Sequence, residues 1–399
     1  MNAKKVNNAQ EMKYFNRLQV LKMIATEHRI SRSEITEISG LTKMTVSNIT
    51  ADLLAAGMIE EFRSETLSDA HIGRTPMLLK LSAASPCVLG ICIGRAYCAV
   101  QVCDLSARVI AEDVFRYPDS ITGEQLSMLI LVKSRELMHS SGRKITLAGI
   151  SAIGPVDSTR GMILSPPGFH GITNLSIAGF LEKELDLPCM LFHDAAAAAL
   201  AEYLYGFGKG LNDLIYILIH NGIGAGIVIN GKIIEGLTGL GGELGHTSID
   251  QNGPLCSCGC KGCLELYANG RRILKDYNEA AGAQLTSEPA QALPMMIELA
   301  GRGDPAAFKA LDVFSDYLSV ALGNLLNMIS SENIFLGYQG SDNGIFENML
   351  RTKLLSRIVA GESRKLNVRH SSFHSKGPIV GATAYAVQKI FDGEVVLDI

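Results

Sequence analysis

Two segments far apart in the chain share one pattern, and that pattern most limits the fold. Residues 88–93 and 99–104 read as strands joined through G-R-A-Y-C, and L-I-Y-I-L-I after Asp213 runs into N-G-I-G-A-G-I-V-I-N-G-K. Each is a buried strand, a glycine-bearing turn and a second strand, as in a β-hairpin. Such a unit recurring in separate halves predicts a duplicated α/β fold with a cleft between two lobes. Residues 147–153, followed by G-P-V-D, add another strand to the first half.

Length and composition agree. With 399 residues, 47% hydrophobic and 19% charged, the chain reads as a folded globular protein of two or three domains. A formal net charge of -4 excludes a generally basic coat, although residues 1–80 hold a slight excess of Lys and Arg. No apolar run approaches the roughly 18 residues of a membrane span. The greasiest stretch, 214–229, is interrupted by His220, Asn221 and three glycines. Residues 1–20 are polar and basic, without the apolar centre of a secretory signal. Nine cysteines, an odd number, then imply a reducing cytoplasm and no disulfide framework.

Residues 1–82 read as a separate module. Val20, Leu21 and Ile24 share one helical face, Ser33 is placed to cap a second short helix that stops at Gly40, and Thr42 caps a third that ends at Gly57. Three short helices around a glycine-containing turn make a helix-turn-helix, whose last helix enters the major groove. Val46, Ile49, Leu53 and Leu54 then pack inward, leaving Thr42, Lys43, Thr45, Ser47 and Asn48 to meet bases or phosphates. Residues 58–81 follow as two strand-like ends around a turn at Gly73 and Arg74, the pattern of a wing. An arginine there suits the focused negative potential of the minor groove. A plain three-helix packing module is the competing reading; helices, glycine break and wing in this order favour DNA.

Residues 255–265, L-C-S-C-G-C-K-G-C-L-E, crowd Cys256, Cys258, Cys260 and Cys263 into one turn-rich loop. In a reducing compartment, thiols spaced this way point to metal ligation.

From about residue 86 onward, these motifs resemble the ROK family, which groups sugar-responsive repressors with sugar kinases on an actin-like (ribonuclease H-like) fold of two lobes. With a winged helix in front, the chain is similar to the regulatory branch that holds the N-acetylglucosamine and xylose repressors. The resemblance implies one lobe over residues 86–195, rejoined by a C-terminal helix near 380–399, and a second lobe over 196–380 carrying the metal site. Kinases of the family hold nucleotide phosphates and metal with D-x-G-G-T. The matching Cys92, Ile93, Gly94, Arg95 and Ala96 lack the carboxylate and the second glycine. The kinases' G-T-G-x-G-x-G becomes His220 to Gly226, without the leading Gly-Thr, and a Gly-Gly near the adenosine becomes Gly337-Tyr338. Phosphoryl transfer rests on positioning and charge stabilisation, so the expectation is a vestigial ATP site and no enzyme activity.

The same resemblance implies sugar contacts. The Asp that takes a proton from the sugar hydroxyl in the kinases corresponds to Asp194, with His193 in place of the usual Asn; Asp194 is equally suited to cap the alanine-rich helix behind it. Glu243 and His246 of G-G-E-L-G-H, and Glu265 after the cysteines, fall on sugar-touching positions. Gly168, His170 and Asn174 fall where further hydroxyls are recognised. The cysteine loop matches C-x-C-G-x-x-G-C-x-E, implying a structural Zn²⁺ held by His246, Cys256, Cys258 and Cys263, with the role of Cys260 open. Such an ion would brace His246 and Glu265 behind the pocket.

The expected protein is a cytoplasmic, sugar-responsive transcriptional repressor, a homodimer or dimer of dimers on pseudo-palindromic operator DNA. A sugar or phosphosugar in the cleft would alter the spacing of the DNA-reading helices. An ATP-dependent sugar kinase with an appended DNA-binding domain is the runner-up, and a regulator that senses a sugar-transport component is a third reading of the same residues.

Overall fold

The computed structural model describes residues 9–63, 77–236 and 239–397. Capped helices build its amino end: α1 (Ala9–Glu27), β1 (Ile30–Ser31), α2 (Arg32–Ser39), α3 (Lys43–Ala55), β2 (Ile59–Arg63) and β3 (Met77–Leu81), with strands in the order β1-β3-β2. Ser31, rather than Ser33, starts α2. Its hydroxyl accepts from the Glu34 N–H while the Glu34 carboxylate accepts from the Ser31 N–H, a reciprocal box unavailable to Ser33 inside the helix. Gly40 ends α2 in the left-handed region at φ 69°, and Thr42 Oγ1 accepts from the Thr45 N–H to begin α3. Val46, Ile49 and Leu53 are buried and Leu54 half-buried. β2 and β3 pair antiparallel from Ile59–Leu81 to Arg63–Met77. The expected wing tip, Gly73 and Arg74, lies outside the described residues.

The first lobe follows as β4 (Cys87–Ile93), β5 (Tyr97–Asp104), β6 (Val109–Arg116), α4 (Gly123–Ser141), β7 (Ile145–Ala152), the short pair β8 (Val156–Asp157) and β9 (Met162–Ile163), α5 (Ile177–Leu185) and β10 (Cys189–His193). The second comprises α6 (Asp194–Tyr205), β11 (Leu214–Ile219), β12 (Ile223–Ile229), β13 (Lys232–Ile233), α7 (Gly270–Ala281), α8 (Pro289–Gly301), α9 (Pro305–Met328), β14 (Asn333–Gly337), α10 (Ile345–Leu355) and β15 (Asn367–His370), after which α11 (Gly377–Phe391) returns to pack on the first lobe. The sheets run β6-β5-β4-β7-β10 and β13-β12-β11-β14-β15. Each is an antiparallel three-strand meander whose first strand is then flanked by two further strands in parallel. The expected duplication is therefore present strand for strand.

Between the sheets lie two helices: α6 packs on β11 and β12, α11 on β4 and β7, and both on each other. Small residues make that approach feasible. Residues 195–199, all alanine, are buried; a Cβ at Gly381 would collide with the Ala197 carbonyl oxygen, and one at Gly149 with that of Ala382. Buried Gln101 Nε2 donates to the Ile379 carbonyl at 3.0 Å, fixing α11 to β5. At the other end of α11, Val387, Ile390 and Phe391 share one hydrophobic cluster with Leu18, Leu21, Ile24 and Leu53 of the amino-terminal module and with Val88, Cys103 and Leu105 of the first lobe.

Candidate effector cleft, metal centre and DNA-reading face

The glycine turns after β4 and β11 line one cavity between the lobes. Asp194, His193, Glu243, His246 and Glu265 all border it. Asn174 does not: it is exposed, with φ 52° and its N–H on the Leu164 carbonyl. Gly168 is also outside the lining, whereas His170 touches it indirectly, through Nε2 on the carbonyl of Arg95.

Asp194 is the first residue of α6 and not its cap. His193 holds the cap position, and Asp194 Oδ1 accepts the adjacent Ala195 N–H at 2.7 Å. Asp194 therefore satisfies one N–H of the first turn without holding the cap position, and it also borders the cavity. His193 Nε2 stands 3.6 Å from Asp194 Oδ1 and 3.6 Å from Glu243 Oε1. Burial raises both carboxyls above the ordinary carboxylate range, against the opposing pull of His193. His193 Nδ1 and Glu243 Oε1 are buried without a hydrogen-bond partner among the described residues. Unpaired buried polar atoms are costly, so this wall holds hydrogen-bonding capacity that the described residues leave unused. Glu265 Oε1 accepts from the Ile223 N–H at 2.8 Å, and Arg95 Nη1 donates to the Asn221 carbonyl at 2.7 Å. Burial and the charge of Arg95 lower the His220 imidazole from its usual range. Gly154 and Gly222 give these side chains room, since a Cβ would press on Glu243 Oε1 and the His193 ring at the first and on Glu265 Oε1 at the second.

Behind this wall, His246 belongs to a second cluster. One donor atom each from His246, Cys256, Cys258 and Cys263 lie within 4.8 Å of one another, an arrangement that can hold a metal ion. Cys256 Sγ is 3.7 Å from His246 Nδ1, and Cys258 Sγ is 3.6 Å from Cys263 Sγ. Burial, with the Cys258 and Cys256 sulfurs beside it, pushes the Cys263 thiol up to about 12, so these thiols need a cation in order to ionise together. Exposed Cys260 stays outside the cluster and supplies its carbonyl to the Cys256 N–H.

On the amino-terminal module, Thr42, Lys43, Ser47 and Asn48 are exposed along the start of α3. Thr45 is half-buried, its hydroxyl 2.9 Å from that of Thr42. The sequence reading passed over Met44, which is 75% exposed on the same face as Ser47 and Asn48. Its i, i+3 and i, i+4 spacing to them was the available signal.

A model of the ROK family matches residues 88–389, about three-quarters of the sequence. The chain belongs to the ROK family. The xylose repressor of Bacillus subtilis (strain 168) is 27% identical over 390 residues, covering 96% of this chain and 97% of that protein. The DNA-binding transcriptional dual regulator NagC of Escherichia coli (strain K12) is 28% identical over 338 residues, 83% of this chain and 82% of NagC. Among solved structures, a ROK family transcriptional regulator homologous to the E. coli MLC protein superposes with a TM-score of 0.76 at 26% identity, covering 96% of this chain and 97% of its own. A ROK family glucokinase from Streptomyces griseus, in complex with glucose and AMPPNP, gives 0.66 at 26% identity over 76% of this chain and 99% of its own.

Within the ROK body, α11 connects the cleft to the helical module. Ser375 and Pro378 at its start line the cavity, and Phe391 at its end packs with Leu18 and Leu21 of α1. Among the described residues no helix is long and apolar enough to cross a membrane.

Proposed function

We propose that this chain is a cytoplasmic, sugar-responsive transcriptional repressor that binds operator DNA as a homodimer and changes its grip when a sugar or phosphosugar enters the interlobe cleft. One observation carries the reading: His246 borders the cavity and is also a donor of the His/Cys cluster, beside two carboxylates on the same cavity wall. Polyhydroxylated ligands need several carboxylate acceptors and an oriented imidazole within one pocket. Asp194 and Glu243 accept hydroxyl protons as hydrogen bonds, His193 Nδ1 supplies or receives another, and Glu265, steadied by Ile223, adds a third carboxylate. Kinship to proteins named as xylose repressor and NagC supports the DNA end of the reading.

The His/Cys cluster fits Zn²⁺. A tetrahedral zinc site sets sulfurs about 3.8 Å apart and sulfur and nitrogen about 3.6 Å apart, close to the 3.6 Å and 3.7 Å observed. Four protein donors leave no open position, so a bound ion would supply structure, holding His246 and Cys263 while their neighbours Glu243 and Glu265 face the cleft. On α3, Lys43 meets phosphate, Ser47 and Asn48 meet base edges, and Met44 offers an apolar contact to a thymine methyl; Thr42 and Thr45 set the start of the helix, and Arg74 would extend the contact into the minor groove.

The decisive experiment is a gel shift with DNA from upstream of the chain's own gene, titrated with monosaccharides and their 6-phosphates. Retarded DNA released by one sugar class is the expected result. Unchanged retardation with every sugar, but release by a sugar-transport component, would replace the reading with protein sensing. Steady sugar-phosphate formation from ATP and Mg²⁺ would return the chain to the kinases.

A further inference from the structure

Away from the effector cleft, the second lobe holds a group of side chains that the proposed repressor function does not use. Asp342 lies in the loop between β14 and α10, Glu347 in the first turn of α10, and His370 at the end of β15. One donor atom from each lies within 4.8 Å of the others. Glu347 is 4% and His370 2% exposed, and Asp342 is exposed at the rim. The two buried side chains are each half satisfied, by the same residue. Tyr338 O–H donates to Glu347 Oε1 at 2.5 Å, and the Tyr338 carbonyl receives the His370 Nε2–H at 3.0 Å. Glu347 Oε2 and His370 Nδ1 have no hydrogen-bond partner among the described residues. The Tyr338 ring, stacked on the imidazole with centroids 4.0 Å apart, holds it in place.

This is how a metal-ligating histidine is prepared. Its distal nitrogen gives a proton to a main-chain carbonyl, which fixes the tautomer and leaves the other lone pair free, while the ligating carboxylate is steadied by a hydrogen bond to its second oxygen. The geometry points to a second metal site, in which Asp342, Glu347 and His370 Nδ1 bind a divalent transition ion such as Zn²⁺, with its remaining positions open to solvent. Two carboxylates and a neutral imidazole balance the charge of such an ion, and imidazole with carboxylate suits zinc-like ions better than Mg²⁺ or Ca²⁺. The bound ion would fasten the loop after β14 to the end of β15. Neither the sugar nor the DNA reading is needed for this site.

Equilibrium dialysis of the full-length protein against Zn²⁺, followed by metal analysis, tests it. Two ions per chain are expected for the unsubstituted protein. Glu347→Gln and Asp342→Asn should each retain one, and Cys258→Ser should also retain one. In Glu347→Gln the new amide keeps the Tyr338 bond and can donate to His370 Nδ1, and Asp342 is exposed, so neither substitution threatens the fold. If the His/Cys centre holds no ion, the unsubstituted protein retains one, which both carboxylate variants lose and Cys258→Ser keeps. Zinc content unaltered by both Glu347→Gln and Asp342→Asn overturns the proposal.

Discussion

Arg95 Nη1 donates to the main-chain carbonyl of Asn221, 2.7 Å away, and so joins the turn after β4 in one lobe to the turn after β11 in the other. A charged hydrogen bond of this kind contributes about 1.5–3 kcal/mol. Arg95→Ala is expected to loosen the lobes and weaken sugar binding by about tenfold, equivalent to ~1.4 kcal/mol. Calorimetric titration of the purified variant reads this directly; undiminished affinity would mean that the contact does not organise the pocket.

Cys258→Ser should remove metal from the His/Cys centre while leaving α3 and its caps untouched. Operator binding without sugar is expected to persist, and release by sugar to need at least ten times more ligand, about 1.4 kcal/mol of lost coupling. Metal analysis beside the sugar-titrated gel shift measures both effects. Full release at the original sugar concentration, with the metal gone, would show that the centre does not brace the pocket.

Acid should weaken the sugar response earlier than an ordinary carboxylate would. Burial raises Asp194 and Glu243, so on acidification they take up protons above the usual carboxylate range and stop accepting from sugar hydroxyls. Affinity therefore falls as pH drops through those raised values, and Asp194→Asn should flatten part of the profile. The effect on folding has the opposite sign. Both carboxyls are protonated in either state at low pH; as pH rises the unfolded chain releases its protons first, and their contribution to stability declines until the raised values are passed. Calorimetry over a pH series and urea unfolding over the same series separate the two.

On α3, Lys43→Ala should lower affinity for all DNA and reduce the salt slope of binding by about one. Asn48→Ala should cost about 1–3 kcal/mol on operator and little on unrelated sequence. Fluorescence anisotropy at several salt concentrations distinguishes phosphate from base contact.

Gly381→Ala places a methyl group against the Ala197 carbonyl, where backbone meets backbone. The usual gain of up to ~1 kcal/mol from replacing a helical glycine is outweighed, and a net loss of about 1–3 kcal/mol is expected in chemical denaturation.

Much of this architecture was legible because it rests on local chemistry. The strand–glycine–strand pattern at 88–104 and 214–229 foretold a duplicated two-lobed fold, and the crowded cysteines foretold a metal-binding loop, while the choice of His246, Cys256, Cys258 and Cys263 came from the resemblance to the ROK signature. Where local signals compete, spacing alone misleads. Ser31 and Ser33 both suit a cap, and only the partner Glu34, three residues from Ser31, decides between them. Asp194 before five alanines looked like a cap until the strand leading into α6 set His193 in that position. Asn174 sits in a loop whose path no periodicity reveals, and it ends up facing solvent. The pairing of Glu347 with His370 through Tyr338 joins β14, α10 and β15, a relation with no sequence spacing to betray it.

The cluster shared by α1, α3, the α11-facing side of the first-lobe sheet and the last turns of α11 has a consequence for how the molecule comes apart. A reader of DNA that borrows its greasy floor from the sensor cannot be cut away without leaving two sticky wounds. Heated or titrated with urea, this module and the first lobe should melt in a single step, and evolution could trade such a head between regulators only along with the surface beneath it.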